Sequence, residues 1–257
     1  MEPVTIITGG ASGIGLATAR RLRETGGRVA LLDIDVTRCR REAEQLGDGV
    51  AAFECDVIDE ASLLAAASRV EDELGPIEAL VCGAGAPQLP GPVDAMAIGE
   101  WEAVVDSHLK GTFLSCRIFG GRMIDRGRGV IVNIASVTGY APGPTYAYAP
   151  SKAAIITLTT ILAVEWARKG VRVNAVAPGW TDTPFLTRKS TPGKTRDMTA
   201  LANASPLGRL MDAGEIAEVI YFLLSPQSSA IIGCTVPCDG GFLASRGWAP
   251  YGGVPQS

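Results

Sequence analysis

The sequence predicts an α/β fold, a doubly wound parallel sheet of about seven strands with helices on both faces. Short apolar runs, several of them rich in Val and Ile, alternate along the chain with longer stretches of helical periodicity. Strands that read as continuous apolar runs between helices are typical of a parallel sheet buried on both faces. The predicted strands are 3–8, 28–33, 50–55, 78–82, 129–135, 171–177 and 234–237. The predicted helices are 13–25, 36–46, 60–74, 99–126, 148–169 and 213–224.

Length and composition favour a single domain over residues 1–257. With 257 residues and 47% hydrophobic content, the chain can bury one large core. We find no repeat, low-complexity tract or linker that divides it.

Two segments break the alternation of strands and helices. Residues 184–206 are rich in Pro and basic residues, and we expect them to form a lid with short helices, whereas we expect the tail 242–257 to be irregular.

Charge and residue counts argue against several classes of function. The net charge of −4 provides no basic field to attract nucleic acid. No apolar stretch approaches the roughly 18–20 residues that span a bilayer, and the chain starts without a charged leader, so we expect no membrane partner and a cytoplasmic location. The six cysteines form no C-x-x-C pair and are expected to be reduced. A single histidine, His108, argues against a metal site and against a Ser-His-Asp hydrolase.

A glycine-rich turn, Thr8-Gly9-Gly10-Ala11-Ser12-Gly13-Ile14-Gly15, joins the first predicted strand to the first predicted helix. Glycines let the backbone approach a pyrophosphate closely, and the unpaired N–H groups of a helix N-terminus favour its charge. The alternative is a purely structural turn, which the position between a strand and a helix disfavours. The pattern T-G-x-x-x-G-I-G resembles the short-chain dehydrogenase/reductase family, which implies a Rossmann-like fold and a nicotinamide cofactor. The candidate cofactor-binding residues here are Gly9, Ser12, Gly13, Ile14 and Gly15.

Acidic residues follow the next two predicted strands. Asp33 ends the second strand, where a carboxylate can accept both hydroxyls of the adenosine ribose and repels a 2′-phosphate, so it predicts NAD rather than NADP. The alternative for Asp33 is a turn-forming aspartate. The resemblance implies that Asp56 contacts the adenine amino group and that Val57 packs on the adenine ring. The alternative for Asp56 is a cap at the end of a strand.

The fourth predicted strand departs from the family. It ends Cys82-Gly83-Ala84-Gly85, where the family has Asn-Asn-Ala-Gly. Ala84 and Gly85 can still let the adenosine ribose approach the backbone. Without asparagine we expect the end of this strand to be held less firmly, and we expect cofactor binding to be kept.

The candidate catalytic residues are Ser136, Tyr148 and Lys152. Tyr148 and Lys152 are four residues apart and therefore fall on one face of a helix. A neighbouring cation lowers the pKa of a phenol, which brings proton transfer within reach near neutral pH. The resemblance implies that Tyr148 exchanges the proton, that Ser136 binds the substrate oxygen, and that Lys152 also binds the nicotinamide ribose. The alternatives are a chance pair on a solvated helix and, for Ser136, a turn hydroxyl.

His108 stands where the family has an asparagine that supports a water in a proton relay. A neutral imidazole can also donate and accept a hydrogen bond, and its ordinary pKa near ~6.5 suits proton transfer. Its greater bulk could instead displace the water. Three interpretations remain open: a substitute in the relay, a structural helix residue, or impaired turnover.

The last candidate residues follow the sixth predicted strand. The resemblance implies that Pro178 and Gly179 face the nicotinamide and that Thr181 and Thr183 hold its carboxamide by hydrogen bonds. Later motifs such as Asp239-Gly240-Gly241 also match the family, so the resemblance covers residues 4–241. Trp180, Phe185, Leu186 and Pro142 suggest a mostly apolar substrate pocket.

The sequence therefore predicts an NAD(H)-dependent oxidoreductase that interconverts a secondary alcohol and a ketone, with Tyr148 as general acid/base. Two alternatives remain: an NADP-dependent carbonyl reductase, and a cofactor-sensing binding protein with weak turnover. The expected partner is a small-molecule alcohol or ketone. The resemblance also implies a homo-oligomer, a tetramer packed through the helices around 99–126 and 148–169.

Overall fold

The computed structural model describes residues 4–187 and 197–253, which are arranged around one seven-stranded sheet. The strand order is β3-β2-β1-β4-β5-β6-β7, and every neighbouring pair is parallel. This confirms the predicted doubly wound, Rossmann-like sheet. The strands are β1 (Val4–Thr8), β2 (Arg28–Asp33), β3 (Val50–Glu54), β4 (Ile77–Cys82), β5 (Gly129–Ile134), β6 (Val171–Pro178) and β7 (Thr235–Cys238).

The helices lie close to their predicted bounds. They are α1 (Gly13–Glu24), α2 (Val36–Leu46), α3 (Glu60–Glu73), α4 (Ile98–Val105), α5 (Gly111–Asp125), α6 (Tyr148–Trp166), α7 (Pro184–Thr187), α8 (Met198–Asn203), α9 (Ala213–Leu224) and α10 (Phe242–Ser245). The helix predicted over 99–126 is present as one uninterrupted helical stretch, in which a π-helical segment, Asp106–Lys110, joins α4 to α5. Such wider turns are frequent at functional sites, and this one carries His108.

Apolar residues on both faces of the sheet explain its double covering. Successive side chains of a strand point to opposite faces. In β2, Ala30 and Leu32 accordingly join the core under α3, α5 and α6. Val29 and Leu31 join the second core, under α1, α2 and α9. Because both cores exclude water, we expect polar functional groups at the edge of the sheet where the strands end.

That edge has a switch point between β1 and β4, from which the chain winds in opposite directions. Ligands of open parallel sheets bind in the crevice that forms at such a point, beyond the carboxyl ends of the strands. The glycine-rich turn follows β1, and the residues around Ala84 follow β4. The topology thus places both halves of the predicted cofactor site side by side.

The two segments that break the alternation contain short helices. The predicted lid contains α7 and α8, and its residues 188–196 lie outside the described part of the chain. The tail is less irregular than predicted, because α10 and a 3-10 turn, Ala249–Tyr251, form within it. Residues 254–257 are likewise outside the description. Within the described ranges, no helix combines the length and the apolar character needed to cross a membrane.

Candidate active site

A cavity of about 1200 Å³ lies at the carboxyl edge of the sheet. It extends from the glycine-rich turn, past the ends of β2 to β6, to the lid helices α7 and α8. All the candidate site residues line this one cavity, although they come from segments far apart in the sequence. They are Gly9, Ser12, Gly13, Ile14, Gly15, Asp33, Asp56, Val57, Ala84, Gly85, His108, Ser136, Tyr148, Lys152, Pro178, Gly179, Thr181 and Thr183.

The turn after β1 packs so closely that glycine is required at two of its positions. Gly9 has a positive φ of 68°, and a Cβ there would lie 2.8 Å from the backbone nitrogen of Ala84. A Cβ on Gly15 would lie 2.5 Å from the carbonyl oxygen of Gly9. The turn therefore presents bare backbone and the N-terminus of α1 to the cavity, a cradle that fits a pyrophosphate.

Both acidic candidates line the cavity while they also hold local backbone. The Asp33 carboxylate accepts hydrogen bonds from the backbone N–H of Ala11 at 3.3 Å and of Asp35 at 3.1 Å. The Asp56 carboxylate accepts one from the N–H of Ile58 at 3.1 Å. Each carboxylate keeps further lone pairs with which it can accept ligand hydroxyls or amines. The structural alternatives, a turn-forming aspartate for Asp33 and a strand-end cap for Asp56, are therefore compatible with ligand binding.

Thr8 holds the end of β4, where the family's asparagine is missing. Its hydroxyl oxygen accepts hydrogen bonds from the N–H of Gly83 at 3.2 Å and of Ala84 at 3.5 Å. This role of Thr8 was not predicted, because nothing in the glycine-rich motif indicates a contact between Thr8 and the end of β4. The strand end is thus pinned from the neighbouring strand.

Lys152 is buried beside Tyr148. It is 5% exposed, and its Nζ lies 5.5 Å from the centre of the Tyr148 ring. The ammonium nitrogen donates to the carbonyl oxygen of Ile134 at 2.6 Å. Burial lowers the pKa of Lys152 from 10.5 to about 7, because removal from water disfavours the charged form. The side chain can therefore change its charge near neutral pH.

Ser136 lies at the end of β5 on the wall of the same cavity. Its Oγ accepts hydrogen bonds from the backbone N–H of Thr138 at 3.2 Å and from the Thr138 hydroxyl at 3.0 Å. These bonds cap the short 3-10 turn Val137–Gly139, as the turn-hydroxyl interpretation expected. Because Oγ acts as the acceptor in both, its own proton is available to donate to a substrate oxygen.

The π-helical segment turns His108 into the site, against Gly85 and Tyr148. A Cβ on Gly85 would lie 1.9 Å from Cε1 of the imidazole, so only glycine leaves room for the ring. The His108 and Tyr148 rings meet edge-on, with centroids 5.0 Å apart. Nε2 lies 2.9 Å from the carbonyl oxygen of Ala86 and must donate to it, which makes Nδ1 the unprotonated nitrogen.

The chemistry of His108 is that of a neutral, buried imidazole. Nδ1 is buried and has no hydrogen-bond partner among the described residues. Burial, together with the charge of Lys152, holds the pKa of His108 well below its usual 6.5. This geometry supports the structural interpretation of His108, and its relay role stays a prediction.

The part of the cavity that was predicted to hold the nicotinamide follows β6. A Cβ on Gly179 would lie 2.8 Å from Cα of Asp239, so the turn after Pro178 is tightly enclosed. The Thr181 hydroxyl donates to the carbonyl oxygen of Gly179 at 3.1 Å, and the Thr183 hydroxyl donates to that of Thr181 at 3.3 Å. Because both hydroxyls donate to the protein, their oxygens are oriented to accept from a carboxamide N–H.

Aromatic and aliphatic side chains cover the part of the cavity that was predicted to hold the substrate. Trp180, Phe185 and Leu186 line the cavity as predicted, whereas Pro142 is exposed and does not. The Phe185 ring on α7 lies 5.8 Å from that of Tyr148. Gln88, in the loop after β4, also lines the cavity, and its side-chain oxygen accepts hydrogen bonds from the backbone at the start of α6.

Comparisons with known proteins agree with this arrangement. Over residues 9–243 the chain matches the family model described as enoyl-(acyl carrier protein) reductase. It is 37% identical over 250 residues to cis-4-hydroxycyclohexanecarboxylate dehydrogenase of Sinomonas cyclohexanicum, an alignment that covers 95% of this chain and 97% of the relative.

Two solved structures from Brucella melitensis share the fold over nearly all of both chains. One, from strain 16M and named ribose-5-phosphate isomerase, has 43% identity and a TM-score of 0.94, and the alignment covers 99% of this chain and 98% of that one. The other is a 3-ketoacyl-(acyl-carrier-protein) reductase complexed with NADH, with 30% identity, a TM-score of 0.87 and coverage of 93% and 98%. The chain therefore belongs to the short-chain dehydrogenase/reductase family.

Proposed function

We propose that this oxidoreductase interconverts a secondary alcohol and a ketone with NAD(H), and that Tyr148 is its general acid/base. One observation carries the proposal: a single cavity joins the Asp33 carboxylate at one end to Ser136, Tyr148 and Lys152 at the other. An adenosine site and a proton-transfer site within one cavity suit a dinucleotide that spans the distance between them.

The adenosine end favours NAD over NADP. A 2′-phosphate bound to the adenosine ribose would bring its charge toward the Asp33 carboxylate, and like charges repel. Two unphosphorylated hydroxyls would instead donate to that carboxylate. The complex of the Brucella melitensis reductase with NADH supports a nicotinamide cofactor, and the choice of NAD rests on Asp33.

Ser136 and Tyr148 would each act on the substrate oxygen in a different way. The nicotinamide, when bound, supplies or accepts the hydride at the carbinol carbon. Ser136 donates its hydroxyl proton to the substrate oxygen and thereby orients it. In oxidation the Tyr148 phenolate takes the alcohol proton, and in reduction the phenol returns it. Lys152 as ammonium lowers the pKa of the phenol and thus favours the phenolate.

The proposal can be tested by comparing turnover with NAD⁺ and with NADP⁺ on a panel of secondary alcohols. The panel includes cis-4-hydroxycyclohexanecarboxylate and acyclic polyols. We expect a higher kcat/KM with NAD⁺, and no turnover by Tyr148→Phe although that variant still binds NADH. Asp33→Ala should weaken the preference for NAD⁺. Asp182→Ala is the control, because it removes a carboxylate that does not line the cavity, and it should leave the preference unchanged.

The rival functions give different results in the same panel. A preference of the unmodified protein for NADP⁺ would favour the carbonyl reductase, and NADH binding without turnover would favour the cofactor-sensing protein. Ribose-5-phosphate without added cofactor forms one more arm, because a similar structure is named for that isomerisation. Isomerisation that survives Tyr148→Phe would contradict the proposed chemistry.

We also propose that the chain is one cytoplasmic domain that assembles as a homotetramer. Exposed apolar side chains on α5 and α6, such as Phe113, Ile161 and Val164, support packing through these helices. Light scattering on the purified protein would measure the mass of the assembly, and cell fractionation would report its location.

A further inference from the structure

The first turn of α6, which carries Tyr148, has no cap of its own. The residue before the helix, Ala147, has no side-chain group that could accept a hydrogen bond. The first backbone N–H groups of any helix lack partners within the helix. Ala149 donates to the carbonyl oxygen of Thr145 at 3.0 Å, and Pro150 has no N–H to satisfy. The N–H groups of Ala147 and Tyr148 therefore need an acceptor from elsewhere.

Gln88 provides that acceptor from the loop after β4. Its Oε1 accepts from the N–H of Ala147 at 3.1 Å and from the N–H of Tyr148 at 2.8 Å. The side chain is 5% exposed, so it is held inside the protein. Because only the oxygen of an amide can accept, these two bonds determine which way the group faces, and Nε2 turns to Sδ of Met96 at 3.4 Å.

We propose that Gln88 is a positioning residue for the reaction, which orients Tyr148 by holding the first turn of α6 through a neutral acceptor. The inference rests on the proposed role of Tyr148 as acid/base. Gln88 lies 60 residues before Tyr148 and lines the same cavity. It acts on the backbone of Tyr148 itself, so a shift of this contact moves the phenol relative to Ser136 and the substrate oxygen.

The absence of charge on the Gln88 amide has a consequence for the phenol. A carboxylate could accept the same two hydrogen bonds, but its negative charge would raise the pKa of Tyr148 and oppose the ammonium of Lys152. Lys152 faces the Tyr148 ring from α6, His108 faces it from the π-helical segment, and the uncharged Phe185 faces it from α7. The amide thus caps the helix without adding a negative charge beside the phenol.

Two substitutions separate the hydrogen bonds from the charge. Gln88→Leu removes the acceptor, and Gln88→Glu keeps it and adds a negative charge. Gln45→Glu, on the exposed face of α2, adds the same charge outside the cavity and is the matched control. Each protein is assayed for kcat and KM across pH on an alcohol that the unmodified protein oxidises, and for hydrogen exchange at the amides of Ala147 and Tyr148.

We expect Gln88→Leu to lose exchange protection at both amides and to lower kcat by at least about tenfold with little change in KM, because misorientation of a catalytic group acts on the chemical step. Gln88→Glu should restore the protection and most of kcat, and should displace the pH profile of oxidation to alkaline pH by about one unit. Gln45→Glu should match the unmodified protein.

Unaltered kcat in Gln88→Leu would overturn the positioning role, as would unprotected amides in Gln88→Glu. An undisplaced profile in Gln88→Glu would overturn the electrostatic part. Failure of the proposed function is a separate result, since the unmodified protein would then turn over no alcohol. In that case the ionisation of Tyr148 can still be followed by the ultraviolet absorbance of tyrosinate, with Tyr148→Phe as the reference. The pKa of Tyr148 should rise only in Gln88→Glu.

Discussion

The buried ammonium of Lys152 makes the stability of the fold depend on pH in a direction that can be calculated. In the unfolded chain a lysine titrates at 10.5, and in the folded protein burial lowers the pKa of Lys152 to about 7. Between these two values the unfolded chain holds a proton that the folded protein has released. Stability rises with pH wherever the unfolded state binds more protons, so raising the pH through this window favours the folded state.

The size of the effect follows from the same two values. One pKa unit corresponds to about 1.4 kcal/mol, so the full window from about 7 to 10.5 represents about 5 kcal/mol. From about pH 7 to about pH 9 we expect a gain of about 2 kcal/mol, because the folded lysine is already half deprotonated at the lower limit. In Lys152→Met, which keeps an unbranched side chain, this gain should be absent.

Urea unfolding of both proteins at several pH values, at one protein concentration, measures the difference. Buried thiols oppose the trend at the alkaline end, since burial raises the pKa of Cys39 to about 12 and of Cys55 to about 11. They are present in both proteins and cancel when Lys152→Met is subtracted. Equal pH dependence in the two proteins would refute the reasoning, because it would mean that Lys152 keeps its ordinary pKa in the folded state.

Two further predictions concern His108 and its neighbour. Gly85→Ala should lower the free energy of unfolding by about 1–3 kcal/mol, because the new methyl group would lie 1.9 Å from Cε1 of the imidazole. When His108→Ala is combined with it, most of this loss should disappear in urea unfolding. An equal loss with and without His108 would argue against the contact. His108→Asn should retain activity, and if the imidazole takes part in the proton relay, the pH profile of kcat should change. A profile identical to that of the unmodified protein would rule the relay role out.

Most of the fold could be predicted because its signals are local. The continuous apolar runs and the helical periodicity located each strand of the sheet within a residue or two of its bounds. The π-helical segment Asp106–Lys110 escaped prediction, since one widened turn changes neither the composition nor the apolar pattern of the helix around it. The consequence falls on the candidate site, because that turn directs His108 toward Tyr148.

The candidate site was predictable where a motif joins neighbouring residues in the sequence. The spacing of Tyr148 and Lys152 and the turn from Gly9 to Gly15 needed no tertiary information. The contact of Gln88 with Tyr148 and that of Thr8 with Gly83 join segments 60 and 75 residues apart. Nothing in either segment alone specifies such a partner.

The sequence by itself was sufficient to predict the fold, because periodicity follows from the geometry of single strands and helices. Its motifs, through their resemblance to a known family, predicted the family and the type of chemistry. The electrostatic state of the site required the assembled protein. Desolvation of Lys152, the choice of the protonated nitrogen in His108 and the neutral cap on α6 all depend on groups that packing brings together from different elements. Their pKa values and orientations are properties of that packing.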